Sequence, residues 1–374
     1  MRNTIVAAVI AVASLLVAAC SSADPAVANN NHTSASAVRF QVPFPSPLPT
    51  IPHAPCSVVS DPCLAAVSLR GGGDVIRDIT DISHPKTVGV PRGMLRFISA
   101  TEQSFIEVCV AFRTGLSGSP RSEVVSRPSG TCVAALAWSP DGRDFAYLGV
   151  NREQNTEVHI VRGGSDHLAA TSSRLPPNSM FGNSPCETQT CADASDFQFT
   201  YSPDGALVMW AQDLTSTFRI WTRDGLEVTP SVGRTFMPIW SGSSLFFQDS
   251  KGIEVFRNGK VSLFLPNATW IRPKASPTGG QIVYAWRDTV GLAHTSMVDT
   301  TSAAVRQFGV GRGEPAFLTS RYLWYQGERL CVGVERCDLG VVKPTGKTFI
   351  YDLQDGTEAD SVITAVYDVW PHAA

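Results

Sequence analysis

A five-residue phrase returns along this chain, and each return dictates a tight reversal between two apolar runs. Trp138-Ser139-Pro140-Asp141-Gly142 precedes Phe145-Ala146-Tyr147-Leu148, and Tyr201-Ser202-Pro203-Asp204-Gly205 precedes Leu207-Val208-Met209-Trp210. Proline presets φ for the first central turn position, aspartate suits the second, and glycine closes the turn without strain. The flanking apolar and aromatic residues then read as the strands of a hairpin. Looser versions are Trp240-Ser241-Gly242-Ser243 before Leu245-Phe246-Phe247, and Ala275-Ser276-Pro277-Thr278-Gly279 before Ile282-Val283-Tyr284-Ala285-Trp286. Weaker still are Phe317-Leu318-Thr319-Ser320 before Tyr322-Leu323-Trp324-Tyr325, and Val90-Pro91-Arg92-Gly93 before Leu95-Arg96-Phe97. Counted this way, the unit occurs six times.

Several units carry a second signal, a strand ending in a polar turn, as in Phe218 to Gly225, Ile253 to Gly259 and Phe349 to Gly356. A fourth strand follows, such as Leu226-Glu227-Val228 or Val261-Ser262-Leu263-Phe264. With 30 glycines, 25 prolines and only 17% charged residues, the chain suits short strands and turns better than long helices. Recurrent four-stranded units predict an all-β protein, a β-propeller of six blades, with seven allowed. Two further strands, Leu64–Leu69 and Asp74–Ile79, either complete the last blade as a clasp or begin a seventh.

The Trp-Ser-Pro-Asp-Gly hairpins resemble the WD40-like (PD40) repeats of TolB-type six-bladed propellers, two copies closely and four in part, over about residues 82–370. That resemblance implies an interaction role, because such propellers dock partners at a rim or channel mouth. Kinship of fold alone does not assign a function.

The N-terminus points to export. Met1-Arg2-Asn3 is weakly positive, Thr4 to Ala19 is uncharged and apolar, and Val17-Ala18-Ala19-Cys20 ends the run. An apolar core closed by small residues is the layout of a signal peptide, and the run is short for a bilayer span of roughly 20 residues. Cysteine at that point resembles the lipobox of bacterial lipoproteins, which implies a diacylglycerol thioether on Cys20, cleavage before it and acylation of the new amino group. More than one acyl chain is what stable anchoring needs. The expected organisation is a signal over 1–19, a lipidated and Ser/Ala/Asn/Pro-rich tether over 20–50, and a propeller over 51–374. Localisation would be the outer side of a membrane.

Apart from Cys20, eight cysteines remain: Cys56, Cys63, Cys109, Cys132, Cys186, Cys191, Cys331 and Cys337. An even count in an exported chain indicates disulfides. Proximity pairs Cys56 with Cys63, Cys186 with Cys191, and Cys331 with Cys337, leaving Cys109 for Cys132. Residues 171–195 would then be a stapled loop on one rim, a usual place for recognition.

A net charge of −3 without like-charge blocks argues against a nucleic-acid partner. No catalytic signature appears. Gly115-Leu116-Ser117-Gly118-Ser119 misses the last glycine of a nucleophile elbow, and metal-protease, phosphate-loop and EF-hand patterns are missing. A channel enzyme would need carboxylates or histidines converging from the innermost strands. Those strands offer Gln198, Arg272, Lys274 and Glu314 as channel-facing candidates, with Arg272 and Lys274 alternating on one strand and able to attract an anion. His159 and His294 are expected to be structural. The reading is a monomeric, non-catalytic envelope lipoprotein that binds a protein or glycan, with no cofactor and no metal. The alternative is a small-molecule-binding or metal-dependent hydrolase or lyase propeller using its channel.

Overall fold

The structure, a computed structural model, describes residues 61–92, 95–107, 110–118, 120–124, 132–150, 156–172, 197–211, 217–331 and 342–370. Cys20, the signal and the tether therefore lie outside the described residues. Strands fill the described chain, and no α-helix occurs among these residues.

The strands form seven antiparallel sheets. Blade 1 takes β1 (Leu64–Leu69), β2 (Gly73–Asp78) and β3 (Lys86–Gly89) from the start of the fold. Blade 2 is β4 (Arg96–Ser99), β5 (Glu102–Glu107), β6 (Val110–Gly115) and β7 (Arg121–Glu123). Blade 3 is β8 (Cys132–Trp138), β9 (Phe145–Val150), β10 (Thr156–Arg162) and β11 (Ser165–Ser172). In blade 4, β12 (Phe197–Tyr201), β13 (Leu207–Ala211) and β14 (Arg219–Trp221) are followed by a vestigial fourth strand. That remnant is a single bridge between Trp221 and Glu227. Blade 5 is β15 (Phe236–Ser241), β16 (Ser244–Asp249), β17 (Gly252–Arg257) and β18 (Lys260–Pro266). Blade 6 is β19 (Ile271–Ala275), β20 (Gln281–Arg287), β21 (Ala293–Asp299) and β22 (Val305–Val310). Blade 7 is β23 (Arg312–Phe317), β24 (Tyr322–Leu330), β25 (Val342–Asp352) and β26 (Glu358–Ser361). The last strand, β27 (Ile363–Trp370), pairs with β1 and becomes the innermost strand of blade 1.

Six blades is thus corrected to seven. Five of the six sequence repeats are genuine turns between a first and a second strand, in blades 3 to 7. The sixth, Val90 to Gly93, is instead part of the link from β3 to β4; the turn of blade 2 lies between Ser99 and Glu102. Blade 1 has no such hairpin, because its first and second strands come from opposite ends of the chain.

Why the sheets form a ring follows from their side chains. Alternate residues of a strand point to opposite faces, so a strand buried on both sides must be apolar throughout. In β13, Leu207 and Met209 pack with blade 3, whereas Val208 and Trp210 pack with blade 5. In β24, Tyr322 and Trp324 meet blade 1, and Leu323 and Tyr325 meet blade 6. Each apolar cluster among the described residues bridges two neighbouring blades, and together they run unbroken around the ring. Indole N–H groups are passed between blades as well. Trp138 donates to Ser104 Oγ (2.8 Å), Trp210 to the Thr235 carbonyl (2.9 Å) and Trp324 to the Ile363 carbonyl (2.9 Å).

Replacing Trp210, wholly buried between blades 4 and 5, by alanine is expected to cost about 3–5 kcal/mol. Leu226→Ala, at a side chain 67% exposed, should stay within about 0.5 kcal/mol of the parent. Chemical denaturation of both variants checks the contrast.

Candidate functional site

The Ser-Pro-Asp-Gly turns are built from a buried hydroxyl outward. Ser139 Oγ donates to Asp141 Oδ1 (2.6 Å) and accepts the Asp144 N–H (3.0 Å), and Gly142 N–H bonds back to the Ser139 carbonyl (2.8 Å). Ser202 repeats this with Asp204 and the Ala206 N–H, and Ser276 Oγ accepts the Gln281 N–H. Gly142, Gly205 and Gly279 all have positive φ, which glycine alone adopts freely. Between the turns of blades 3 and 4 lies a cleft lined by Ser139, Pro140, Asp141, Pro203, Gly205 and Arg223. Its charges are satisfied internally: Arg223 pairs with Asp141 (2.9 Å) and Asp144 (3.3 Å). The Ser139 hydroxyl is the first reason the Asp141 carboxyl is held below its usual range. This rim is a clamp between blades.

Antiparallel connectivity then sorts every loop. Turns from first to second strand and from third to fourth strand share one rim. Second-to-third links and the passages between blades fall on the other. Both ends of the described fold are on the turn rim, where Cys63 N–H donates to the Trp370 carbonyl (2.7 Å) and Ser320 N–H to the Asp61 carboxylate. The strand ends joined by residues 173–196 (β11 to β12) and 332–341 (β24 to β25) lie on the opposite rim. Cys186, Cys191 and Cys337 fall in those segments, outside the described residues, as do Cys56 and Cys109. Cys132 opens β8, its side chain not described. Cys63 is buried beside the Trp370 carbonyl, and Cys331 follows the end of β24, half-buried.

The innermost strands β27, β4, β8, β12, β15, β19 and β23 neighbour one another around the channel. Three of them share an irregularity. Met237-Pro238, Arg272-Pro273 and Glu314-Pro315 each form a bulge against the second strand, and the residue before each proline has positive φ (45°, 50° and 50°). An inner edge has no partner for proline's missing N–H to disappoint, and a bulge re-aims the side chain beside it. Non-glycine residues at positive φ, here also preceding proline, are costly and concentrate where the surroundings impose them. The three contact in series. Arg272 N–H donates to Met237 Sδ (3.2 Å), and the Arg272 guanidinium pairs with the Glu314 carboxylate.

Simple alternation of Arg272 and Lys274 is therefore corrected: Ile271 faces Ala285 while Lys274 faces Val283, so the bulge inserts one residue between them. The two nevertheless belong to one electrostatic cluster with Glu314, Arg96 and Asp368. Arg96 lies on β4 and Asp368 on β27, with Nη1 to Oδ1 at 3.8 Å, while Phe97 N–H donates to Asp368 Oδ2 (2.8 Å). Enclosure by protein pushes the Lys274 ammonium down to about 8, and the Arg96 charge adds to this. By its surface area, however, Lys274 is exposed to solvent. Gln198 sits four residues before Ser202, as Arg272 sits four before Ser276; its side chain is not described. Arg96 and Asp368 escaped sequence reasoning because 272 positions separate them. The proline three residues before Ser241, Ser276 and Leu318 was a readable signal for the bulges.

His159 and His294 lie in third strands, as expected. His159 stacks on Tyr147 with ring centroids 4.5 Å apart and pairs with Asp166 (2.9 Å) and Glu157 (3.3 Å). His294 stacks on Trp286 (4.3 Å) and pairs with Asp288 (2.9 Å). Among the described residues, no three His, Cys, Asp or Glu side chains gather as metal ligands would.

No family model matches this chain, and no curated protein does. Solved structures with a similar fold include TolB from Acinetobacter baumannii (TM-score 0.42, 13% identity, covering 78% of this chain and 77% of that one). A putative TolB from Agrobacterium tumefaciens scores 0.39 at 17% identity, covering 61% and 84%. An oligogalacturonate lyase from Vibrio parahaemolyticus scores 0.46 at 10% identity, covering 68% and 71%. At such identities the likeness concerns the fold alone.

Ion pairs of different exposure should respond differently to removal. Arg272 and Glu314 are 36% and 41% exposed, so Glu314→Ala should change stability by at most about 1 kcal/mol. Asp352, with a fully buried side chain, is bound by Arg321 Nε and Nη2 and by the Gln354 and Asp355 N–H groups. Asp352→Ala should cost about 3–5 kcal/mol. Burial opposes the Asp352 charge, yet the Arg321 and backbone bonds outweigh it and hold the carboxyl below its usual range. A depressed folded-state pKa stabilises above the unfolded value, and that stabilisation is lost as pH falls through the folded one. Urea midpoints measured from pH 7 downward should fall more steeply for the parent than for Asp352→Asn once pH drops below about 4.

Proposed function

We propose that this chain is an exported, lipid-anchored envelope protein whose propeller serves as a non-catalytic platform for a protein or glycan partner. Anchoring would run through Cys20, with residues 20–50 as the tether and 51–374 as the platform. The observation that carries the reading is the division between the rims. Asp61, where the described fold begins, is fastened to the turn rim, where Arg223 ties blades 3 and 4 together through Asp141 and Asp144. The opposite rim receives the strand ends leading into 173–196 and 332–341. Disulfides Cys56–Cys63, Cys186–Cys191, Cys331–Cys337 and Cys109–Cys132 would staple the fold and its loops. The platform reading is further supported over metal-dependent chemistry by the charges of the inner strands, which among the described residues are mostly arginine, lysine and their carboxylate partners.

Two measurements on the full chain test this. Metabolic labelling with an alkyne analogue of palmitate should mark the parent and leave Cys20→Ala unlabelled and released from membranes; equal labelling would remove the anchor. Affinity capture from cross-linked envelopes should recover a partner with the parent that is lost when 171–195 is shortened, and no recovery above a tag-only control would remove the platform.

A further inference from the structure

We propose that the cleft between the Ser-Pro-Asp-Gly turns of blades 3 and 4 binds an aromatic side chain, and that its occupant is Phe44 of the chain's own Pro43-Phe44-Pro45 segment. The inference goes beyond the platform reading and does not rest on it. The cleft holds about 310 Å³ and is lined by Pro140 of one turn and Pro203 of the next. That is the low end of ligand pockets, roughly 300–1,000 Å³, and suits one side chain better than an oligosaccharide. Arg223 lies along it with its stem against Gly205, where a Cβ would come within 3.2–3.4 Å of the arginine's Cδ, Cγ and Cβ. Its Nη2 is fixed by Asp141 (2.9 Å) and Asp144 (3.3 Å), while 47% of the side chain stays exposed.

Elsewhere in this protein a guanidinium fixed in this way has a ring on its flat face. Arg321 is likewise held by two carboxylates, Asp352 and Asp355, and lies over the Tyr322 ring at 5.4 Å. Arg306 of blade 6 donates to the Leu353 carbonyl and the Tyr351 hydroxyl of blade 7, and lies over the Tyr351 ring at 5.5 Å. Arg219, in the same blade as Arg223, lies over Trp221 at 5.1 Å. Among the described residues no ring lies over Arg223, and the cleft stands there instead. The negative face of an aromatic ring is drawn to a guanidinium and to the polarised C–H groups of proline alike, so a ring complements every wall.

The occupant follows from where the described chain begins. Ser320 N–H holds the Asp61 carboxylate on the same rim as the cleft. That turn and the turns of blades 3 and 4 all join a first to a second strand, so they stand toward the channel rather than at the outer edge. The seventeen residues from Phe44 to Ser60 reach up to roughly 55–60 Å when extended. A blade of four strands is only about 14 Å deep, so this length crosses the ring with slack. Charge agrees. Asp141 and Asp144 share one guanidinium, and with Arg143 and Asp204 of the same turns included, acids still outnumber bases. Residues 25–60 contain no aspartate or glutamate, and Arg39 precedes the segment. Prolines on both sides narrow the conformations open to Phe44, so holding it costs less entropy.

The full chain, in detergent, is made with p-benzoylphenylalanine in place of Phe44 and irradiated, and the adducts are located by peptide mass spectrometry. Position 44 precedes the first strand, so the probe leaves the blades untouched. Adducts are expected on 139–143, 203–205 and Arg223, several-fold more often than with the same probe in place of Val27. In a mixture of heavy-isotope and ordinary chains, they should join like with like. Arg223→Gln should lower the yield roughly two- to fivefold, the loss of one cation–π contact. Adducts scattered over the surface, or no more frequent in the cleft than those of the Val27 probe, overturn the site. Cleft adducts that join unlike isotopes overturn its occupant, making it a second copy of the chain. The probe in the parent sequence supplies these results whether or not the Arg223 variant folds, and capture of an envelope partner is independent of them.

Discussion

Every blade of this protein is a sheet with two apolar faces, and neither face can be left in water. A flat pair of sheets would bury one face of each. A ring buries both, because each sheet has a neighbour on either side. The arrangement is visible within single strands, where Leu207 and Met209 serve one junction while Val208 and Trp210 serve the next. A ring of this kind has no natural end, so the first and last strands must meet. Here β27 supplies the inner strand of the blade whose outer three strands open the fold. Trp324 and Ile350 of blade 7 pack against Ala65 and Ile363 of that blade, and the Trp324 indole donates to the Ile363 carbonyl (2.9 Å).

Closing the ring has a consequence at its axis. Inner strands are sheet edges, with backbone groups left unpaired toward the channel. Prolines 238, 273 and 315 occupy edge positions where an N–H is dispensable, and their bulges break the strict alternation that would send every side chain into an inter-blade core. Charged groups can then reach the channel without disturbing the packing. The same geometry separates the work of the two rims. Turn-rim charges such as Asp141 and Arg223 hold blades 3 and 4 together, and on the inner strands Arg96 of blade 2 meets Asp368 of blade 1.

What the amino-acid order disclosed follows from how local each feature is. A hairpin is written in consecutive residues, so the turns at Pro140, Pro203, Ser241, Pro277 and Leu318 were all legible. Blade 2 was misread because its turn, Ser99-Ala100-Thr101-Glu102, lacks both proline and glycine, while the nearby Val90-Pro91-Arg92-Gly93 has both. Blade 1 was legible only as two stray strands, since its inner strand arrives some 300 residues later, Leu64 facing Trp370. Among the charged groups, Arg272, Lys274 and Glu314 could be named from their position just before the turns. Arg96 and Asp368 could not, because nothing local links β4 to β27 before the ring exists.

The central claim is that a seven-bladed ring is held shut by non-covalent pairing between the two ends of the fold. Native-state hydrogen exchange tests it most directly, because a seam essential to the ring opens only when the whole ring does. Amides of Ala65, Val67, Ala365 and Asp368 at the β1–β27 junction are predicted to exchange in the slowest class, together with those of β13 and β20. Exchange at that junction many-fold faster than in β13, with the other blades still protected, would contradict the account.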